Sequence, residues 1–193
     1  MSDKPIRLIV ICASVREGRF GPTVARWFAE YAAHNDQLEV DYLDLADYPL
    51  PARITEHPDA RDAEVLGEVS ARLLRADAFA LVTPEYNHSF PASLKHLIDW
   101  CPEEWRAKPV GLVSYGGLAG GLRAVEQLRQ VLGEVHAVAL RDTVSFHNAW
   151  DRFDATGQPT DEAGANAAAD TMVEHILWWG RALRTARDET PMH

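Results

Sequence analysis

The sequence predicts a doubly wound α/β fold, a five-stranded parallel sheet with helices on both faces. Three observations carry this. Strand-like and helix-like stretches alternate along the chain. Three strand candidates, Leu8–Cys12, Ala78–Thr83 and Pro109–Ser114, are almost continuously apolar, as strands covered on both faces must be. The stretches between strand candidates repeat apolar residues at spacings of three and four, the stripe of a surface helix.

The elements follow in order. Leu8–Cys12 is the first strand, and Val24, Trp27, Phe28, Tyr31 and Ala32 form one face of the helix behind it. Leu38 to Leu45 alternates apolar and polar, the pattern of an edge strand. Tyr48-Pro49-Leu50-Pro51 breaks regular structure and opens a long loop through His57-Pro58. Val65, Leu66, Val69 and Leu73 mark a second helix before the buried strand Ala78–Thr83. Pro91 stands where a helix can begin, with Leu94, Leu97, Ile98 and Cys101 inward. Pro109–Ser114 is a further strand, followed by a helix on Val125, Leu128 and Leu132. Val135 to Leu140 reads as the last strand. Asp161 opens a long closing helix on Met172, Val173, Ile176, Leu177, Gly180 and Leu183, and Thr185 to His193 reads as a frayed tail.

Size and composition narrow the function. The 193 residues, 47% hydrophobic and 25% charged, suit one domain over 1–193 with a sizeable core. No stretch is long and apolar enough for a membrane span, and Met1 to Pro5 lacks the signature of a signal peptide. Cys12 and Cys101 make no disulfide framework and fit a reducing cytoplasm. A formal charge of −10 argues against a nucleic-acid partner. The histidines are scattered, without HExxH or a cysteine pair at ligand spacing, so no metal site is expected.

Sheets of this kind bind ligands beyond the C-terminal ends of their strands, where strand order reverses. Three loops of unusual composition fall there. The first, Ala13 to Thr23, combines hydroxyls, glycines and arginines just ahead of a helix N-terminus, a place to hold a phosphate. Arg16 and Arg19 can add charge-assisted bonds, and Ser14 and Thr23 can donate hydroxyls. The loop is neither a Walker loop nor GxGxxG, and solvated arginines in an ordinary turn remain the alternative.

The second loop runs from Thr83 to Lys95. Its two prolines and Tyr86 make a rigid surface for a flat heterocycle, with main-chain donors from Glu85 to His88. Alternatively Glu85 is solvated or caps a turn, Asn87 holds an Asx turn, and His88 is an ordinary surface residue. The third loop carries four glycines in the six residues Gly116 to Gly121, which points to close backbone approach, with a flexible connection as the alternative.

Ser14-x-Arg16, Pro84-Glu85-Tyr86-Asn87 with Pro91-Ala92-Ser93-Leu94-Lys95, and Ser114-Tyr115-Gly116-Gly117 together resemble the NADPH-dependent FMN reductase family of the flavodoxin-like superfamily, over roughly residues 6 to 140. The resemblance implies strand order 2-1-3-4-5, FMN at the C-terminal edge of the sheet, and NADPH or NADH as co-substrate. By position, Ser14, Arg16 and the segment Arg19, Phe20, Gly21, Pro22 and Thr23 would hold the phosphate. Pro84, Glu85, Tyr86, Asn87 and His88 would border the isoalloxazine, and Ser114, Gly116 and Gly117 would close its other edge. It further implies a homodimer or homotetramer whose neighbouring subunit shapes the site. Trp178-Trp179 is a candidate interface, with a core role equally open. One departure stands out: Ala13 replaces a common glycine, and a positive φ there would cost about 1 kcal/mol.

The chemistry implied is hydride transfer from NAD(P)H through bound FMN to a small acceptor, such as a quinone, flavin, azo compound or metal oxyanion, in two half-reactions. The protein then needs no obligate acid or base, although His88 or Tyr86 can serve as a proton donor to a quinone. Two other classes fit the same fold: an electron carrier without turnover, and a flavin-binding or flavin-free interaction protein. Arg16 and Arg19 favour the reductase.

Overall fold

The computed structural model describes residues 4–190. Five strands, β1 (Ile6–Cys12), β2 (Leu38–Asp44), β3 (Ala78–Pro84), β4 (Pro109–Gly116) and β5 (Val138–His147), form one all-parallel sheet in the order β2-β1-β3-β4-β5. The helices are α1 (Gly21–Ala33), α2 (Ala60–Arg75), α3 (Ala92–Trp100), α4 (Leu122–Glu134) and α5 (Glu162–Glu189).

The apolar runs are explained by two cores. Along β1, Leu8, Val10 and Cys12 face a core shared with α1 and α5. Ile9 and Ile11 alternate with them into a second core with α2, α3 and α4. β3 divides in the same way, Ala78, Ala80 and Val82 against Phe79 and Leu81. β2 lies at one edge, pairing with β1 alone. Register sets Cys12 beside Val82 and Thr83 beside Ser114, so the three loops leave the sheet at one level. They do so where β1 separates β2 from β3, the topological switch point.

Two boundaries differ from the sequence expectation. The last strand is Val138–His147, displaced from Val135–Leu140. Val135 and His136 end α4, where His136 turns at φ 57°, and the Ala137 N–H bonds the Leu132 carbonyl. The polar pair Arg141-Asp142 hid the continuation, whose buried side chains are Val144 and Phe146. α5 starts after Asp161 as expected, and the Asp161 carboxylate accepts from the Gly164 N–H at 3.1 Å. It continues through Glu189, so Thr185–Glu189 is helical where fraying was expected. Arg187 ties this end down, donating to Asp77 and to the Ala107 carbonyl. Positions 191–193 of the expected tail lie outside the described residues.

Candidate flavin site

The first loop is anchored from below. The Ala13 N–H donates to the Val82 carbonyl at 3.0 Å, and the Ser93 hydroxyl donates to the Ala13 carbonyl at 2.6 Å. Ala13 is buried and is not among the residues with positive φ. The strain anticipated for alanine therefore does not arise. The turn is made instead at Gly18, with φ 63°. α1 then begins at Gly21-Pro22, with no side chain capping it and no acid in its first turn.

The arginines of this loop diverge. Arg16 is exposed, its guanidinium 5.4 Å from the centre of the Tyr86 ring. Arg19 turns inward, donating to the Ser14 carbonyl at 2.7 Å and to the buried Asp44 carboxylate at the end of β2. The Cys12 sulfur lies 3.6 Å from the same nitrogen. Burial, followed by the neighbouring Asp44, pushes the Cys12 thiol up to about 11, so it stays protonated at neutral pH. Arg19 is thus a clamp that joins the loop to β2. Phe20 packs edge-on to Tyr115 and Phe153. Pro22 and Thr23 border a cleft of about 420 Å³ facing Asp154–Gln158.

Ser14 is fully buried, and its hydroxyl shares a 2.7 Å hydrogen bond with the Tyr86 hydroxyl. That bond connects the first loop to the second. Tyr86 and Ser89 exchange backbone bonds at 2.8 and 3.0 Å, with Asn87 at φ 51° and His88 at φ 69°. Positive φ at both central residues makes a two-residue hairpin turn of the primed type. Gln127 of α4 holds the turn, donating to the His88 carbonyl at 2.8 Å and accepting from the Ser89 hydroxyl at 2.6 Å. The side chains of Asn87 and His88 are left exposed at its tip.

Glu85 is committed elsewhere. Its carboxylate accepts from the Arg123 backbone N–H at 3.3 Å and from the Arg123 guanidinium at 2.7 Å. α4 has no cap of its own, since Gly121 occupies that position, so Glu85 supplies a cap from the neighbouring loop.

In the third loop the two glycine pairs do different work. Gly120 and Gly121 have φ 59° and 87°, and a Cβ on Gly121 would lie 2.7 Å from Ser114 Cβ and 2.9 Å from the Tyr115 nitrogen. This pair makes room for the protein itself. The buried Ser114 hydroxyl donates to the Gly120 carbonyl at 2.8 Å, so it braces the loop from beneath. At Gly116 a Cβ would approach the Gly121 nitrogen to 3.3 Å, whereas Gly117 faces open space. Close backbone approach by a ligand is therefore available at Gly117.

The structure thus brings Ser14, Arg16, Gly21, Pro84, Glu85, Tyr86, Gly116 and Gly117 to one edge, and turns Arg19 and Ser114 into supports. Sequence reasoning quoted Ser93 within the Pro91–Lys95 motif without giving it a role, and missed Asp44, Arg123 and Gln127. Each acts through a partner distant in sequence, so none carries a local motif. Among the described residues no group of three His, Cys, Asp or Glu side chains could hold a metal, and no helix is long and apolar enough to cross a membrane.

Residues 6–151 match the sequence pattern of NADPH-dependent FMN reductases. The chain belongs to that family. It is 35% identical over 134 residues to an NAD(P)H-dependent FMN reductase of Schizosaccharomyces pombe, covering 66% of each protein. It is 30% identical over 171 residues to an NAD(P)H:quinone oxidoreductase of Solanum tuberosum, covering 84% of this chain and 87% of that protein. The fold is similar to that of FerB, a flavoenzyme NAD(P)H:(acceptor) oxidoreductase from Paracoccus denitrificans. The TM-score is 0.71 at 24% identity, over 92% of this chain and 98% of that one. The fold is accordingly flavodoxin-like, and membership of this reductase family makes the chain an oxidoreductase.

An uncapped first turn without acids, the exposed Arg16 and a glycine facing open space offer donors to a phosphate and a bare backbone to a flat ring. The residues present fit FMN.

Proposed function

We propose that this chain is an NAD(P)H-dependent reductase that holds FMN across the three loops and reduces a small acceptor, with quinones the favoured class. The observation that supports this best is the meeting of a donor-only helix N-terminus with a rigid hairpin and an open glycine at the switch point. Bound FMN would supply the two-electron redox chemistry that links NAD(P)H to the acceptor. With a quinone, the balance is NAD(P)H, one proton and quinone giving NAD(P)+ and hydroquinone.

The chain's own residues bind and orient. Arg16, the first-turn N–H groups of α1 and the Ser14 hydroxyl hold the phosphate. Arg19, clamped by Asp44, fixes the loop that presents them. Pro84 to His88 form one wall of the ring site, made stiff by Gln127 and by the Glu85–Arg123 pair. Gly116 and Gly117 form the other. The exposed His88 stands at the mouth, where it can pass a proton to a reduced quinone. Two further readings belong here. The enzyme works as a homodimer or homotetramer, a reading to which the exposed Trp178 contributes. It resides in the cytoplasm, consistent with the buried free thiols Cys12 and Cys101.

The test is an anaerobic titration of FMN-loaded protein with NADPH, followed by a quinone. Bleaching of the flavin bands, recovery on quinone addition and steady NADPH consumption are expected. Flavin bands that resist NADPH and NADH would leave an electron carrier, and failure to take up FMN would overturn the assignment.

A further inference from the structure

The carboxyl end of β4 carries a polar group that the fold leaves unused. Tyr115 is 5% exposed, and its buried hydroxyl has no hydrogen-bond partner. The ring passes beneath the first loop, edge-on to Phe20 with centroids 6.2 Å apart. Its oxygen ends under the first residue of α1, because a Cβ on Gly21 would come within 2.6 Å of it. The same Cβ would sit 3.2 Å from Ser14 Cβ. A glycine at this point of α1 is what makes room for the hydroxyl.

Its polar neighbours are already engaged with one another. The groups that bear on it are Cys12, Ser14, Tyr86 and Arg19. Ser14 and Tyr86 are already bonded to each other, and Arg19 offers only donors. Burial pushes the phenol far above the ordinary tyrosine range, so it remains a donor. A buried O–H without an acceptor is unfavourable on its own. The other unpartnered buried atom among the described residues, Trp105 Nε1, belongs to a ring packed against Phe79 in the core, 4.5 Å between centroids.

We propose that the Tyr115 hydroxyl is a binding group for a phosphate oxygen at the N-terminus of α1, and that the phosphate is that of FMN. This rests on the flavin reading above and adds a residue to it. A site ringed by Tyr115 O–H, first-turn N–H groups and Arg16, with no acid in the turn, selects an oxygen-rich anion. Tyr115 contributes a bond without breaking an existing one, whereas Ser14 can donate to a ligand only when Tyr86 is the donor of the bond they share.

The test compares wild type with Tyr115→Phe by flavin fluorescence, measuring Kd for FMN and for riboflavin, which has no phosphate. The FMN Kd is expected to rise about tenfold or more, as for loss of a bond to a charged group, with the riboflavin Kd unchanged. Where riboflavin binds too weakly to measure, inorganic phosphate gives the same comparison, its competition with FMN weakening in the variant. The apoprotein melting temperature should hold or rise, because an unpartnered hydroxyl has been removed. An unchanged FMN Kd, equal weakening of both flavins, or failure of the variant to fold would each overturn the inference. A wild type that binds no FMN would overturn the flavin reading first, and that result is seen before any variant is made.

Discussion

At the N-terminal end of the sheet the Asp77 carboxylate accepts from the Arg7 N–H, from Arg184 and from Arg187, and the buried Lys108 ammonium donates to the Leu73 and Leu74 carbonyls. At the C-terminal end α1 is uncapped, Arg16 points to solvent and the Tyr115 hydroxyl has no partner. One end spends its charges on the fold, and the other holds donors in reserve. Buried polar groups are normally satisfied; of the two exceptions among the described residues, Trp105 Nε1 lies in the core against Phe79 and the Tyr115 hydroxyl lies at the end where a ligand is expected. Stability and flavin affinity should therefore respond to different residues.

The largest stability effect belongs to Asp77→Ala. It would strand two largely buried guanidinium groups at once and is expected to cost about 3–5 kcal/mol. Urea denaturation measures the loss, while the FMN Kd of the folded fraction should stay within about twofold, below 0.5 kcal/mol. A large change in Kd would mean that the two ends are coupled and the comparison fails. Gly121→Ala comes next, at about 3 kcal/mol, since it adds left-handed strain to a clash with Ser114 and Tyr115. Gly117→Ala should leave stability within about 0.5 kcal/mol and instead weaken flavin binding.

The arginines of the first loop sharpen the contrast within a single turn. Arg19→Ala leaves the buried Asp44 carboxylate without its guanidinium and should lower stability by about 2 kcal/mol. Arg16→Ala should leave the melting temperature unchanged. It should raise the FMN Kd about tenfold at low salt, with the difference shrinking as salt is added. Equal effects of the two substitutions on Kd would show that Arg19 leaves Asp44 for the phosphate.

These residues also show what was legible beforehand. β1, β3 and β4 were readable because both faces are buried, so their apolar runs carry no interruption. β5 was misplaced because an edge strand tolerates Arg141 and Asp142 in its middle. The site loops were found from their position after buried strands and from their donors. Arg16 and Arg19 looked alike because sequence shows charge but not direction, and direction is decided by Asp44, 25 residues away. The glycine pairs looked alike for the same reason, since only the fold shows that His147, Ser145 and Ser114 crowd one of them. Capping of α4 by Glu85, 38 residues earlier in the chain, is likewise a fact of packing.

The smallest effect lies at the N-terminal end and depends on pH. Burial, aided by Arg187 and opposed by Asp77 and Glu104, lowers the Lys108 ammonium from 10.5 to about 8. The unfolded chain then binds more protons than the native one between pH 8 and 10.5, so stability rises with pH across that window. Cys12 and Cys101 act in the opposite sense. Their thiols are raised from 9.0 to about 11 and about 12, mainly by burial, so the stability they contribute is lost as pH climbs above 9. Lys108 alone is therefore expected to add about 1 kcal/mol between pH 8 and 9, of which the two thiols offset roughly 0.7 kcal/mol, so the net rise is small and turns over above pH 9. Lys108→Met should abolish the gain and leave the decline, which urea midpoints at pH 7, 8, 9 and 10 would record. If the variant keeps the rise, the group responsible is not Lys108, and the N-terminal end is less fully paired than its hydrogen bonds indicate.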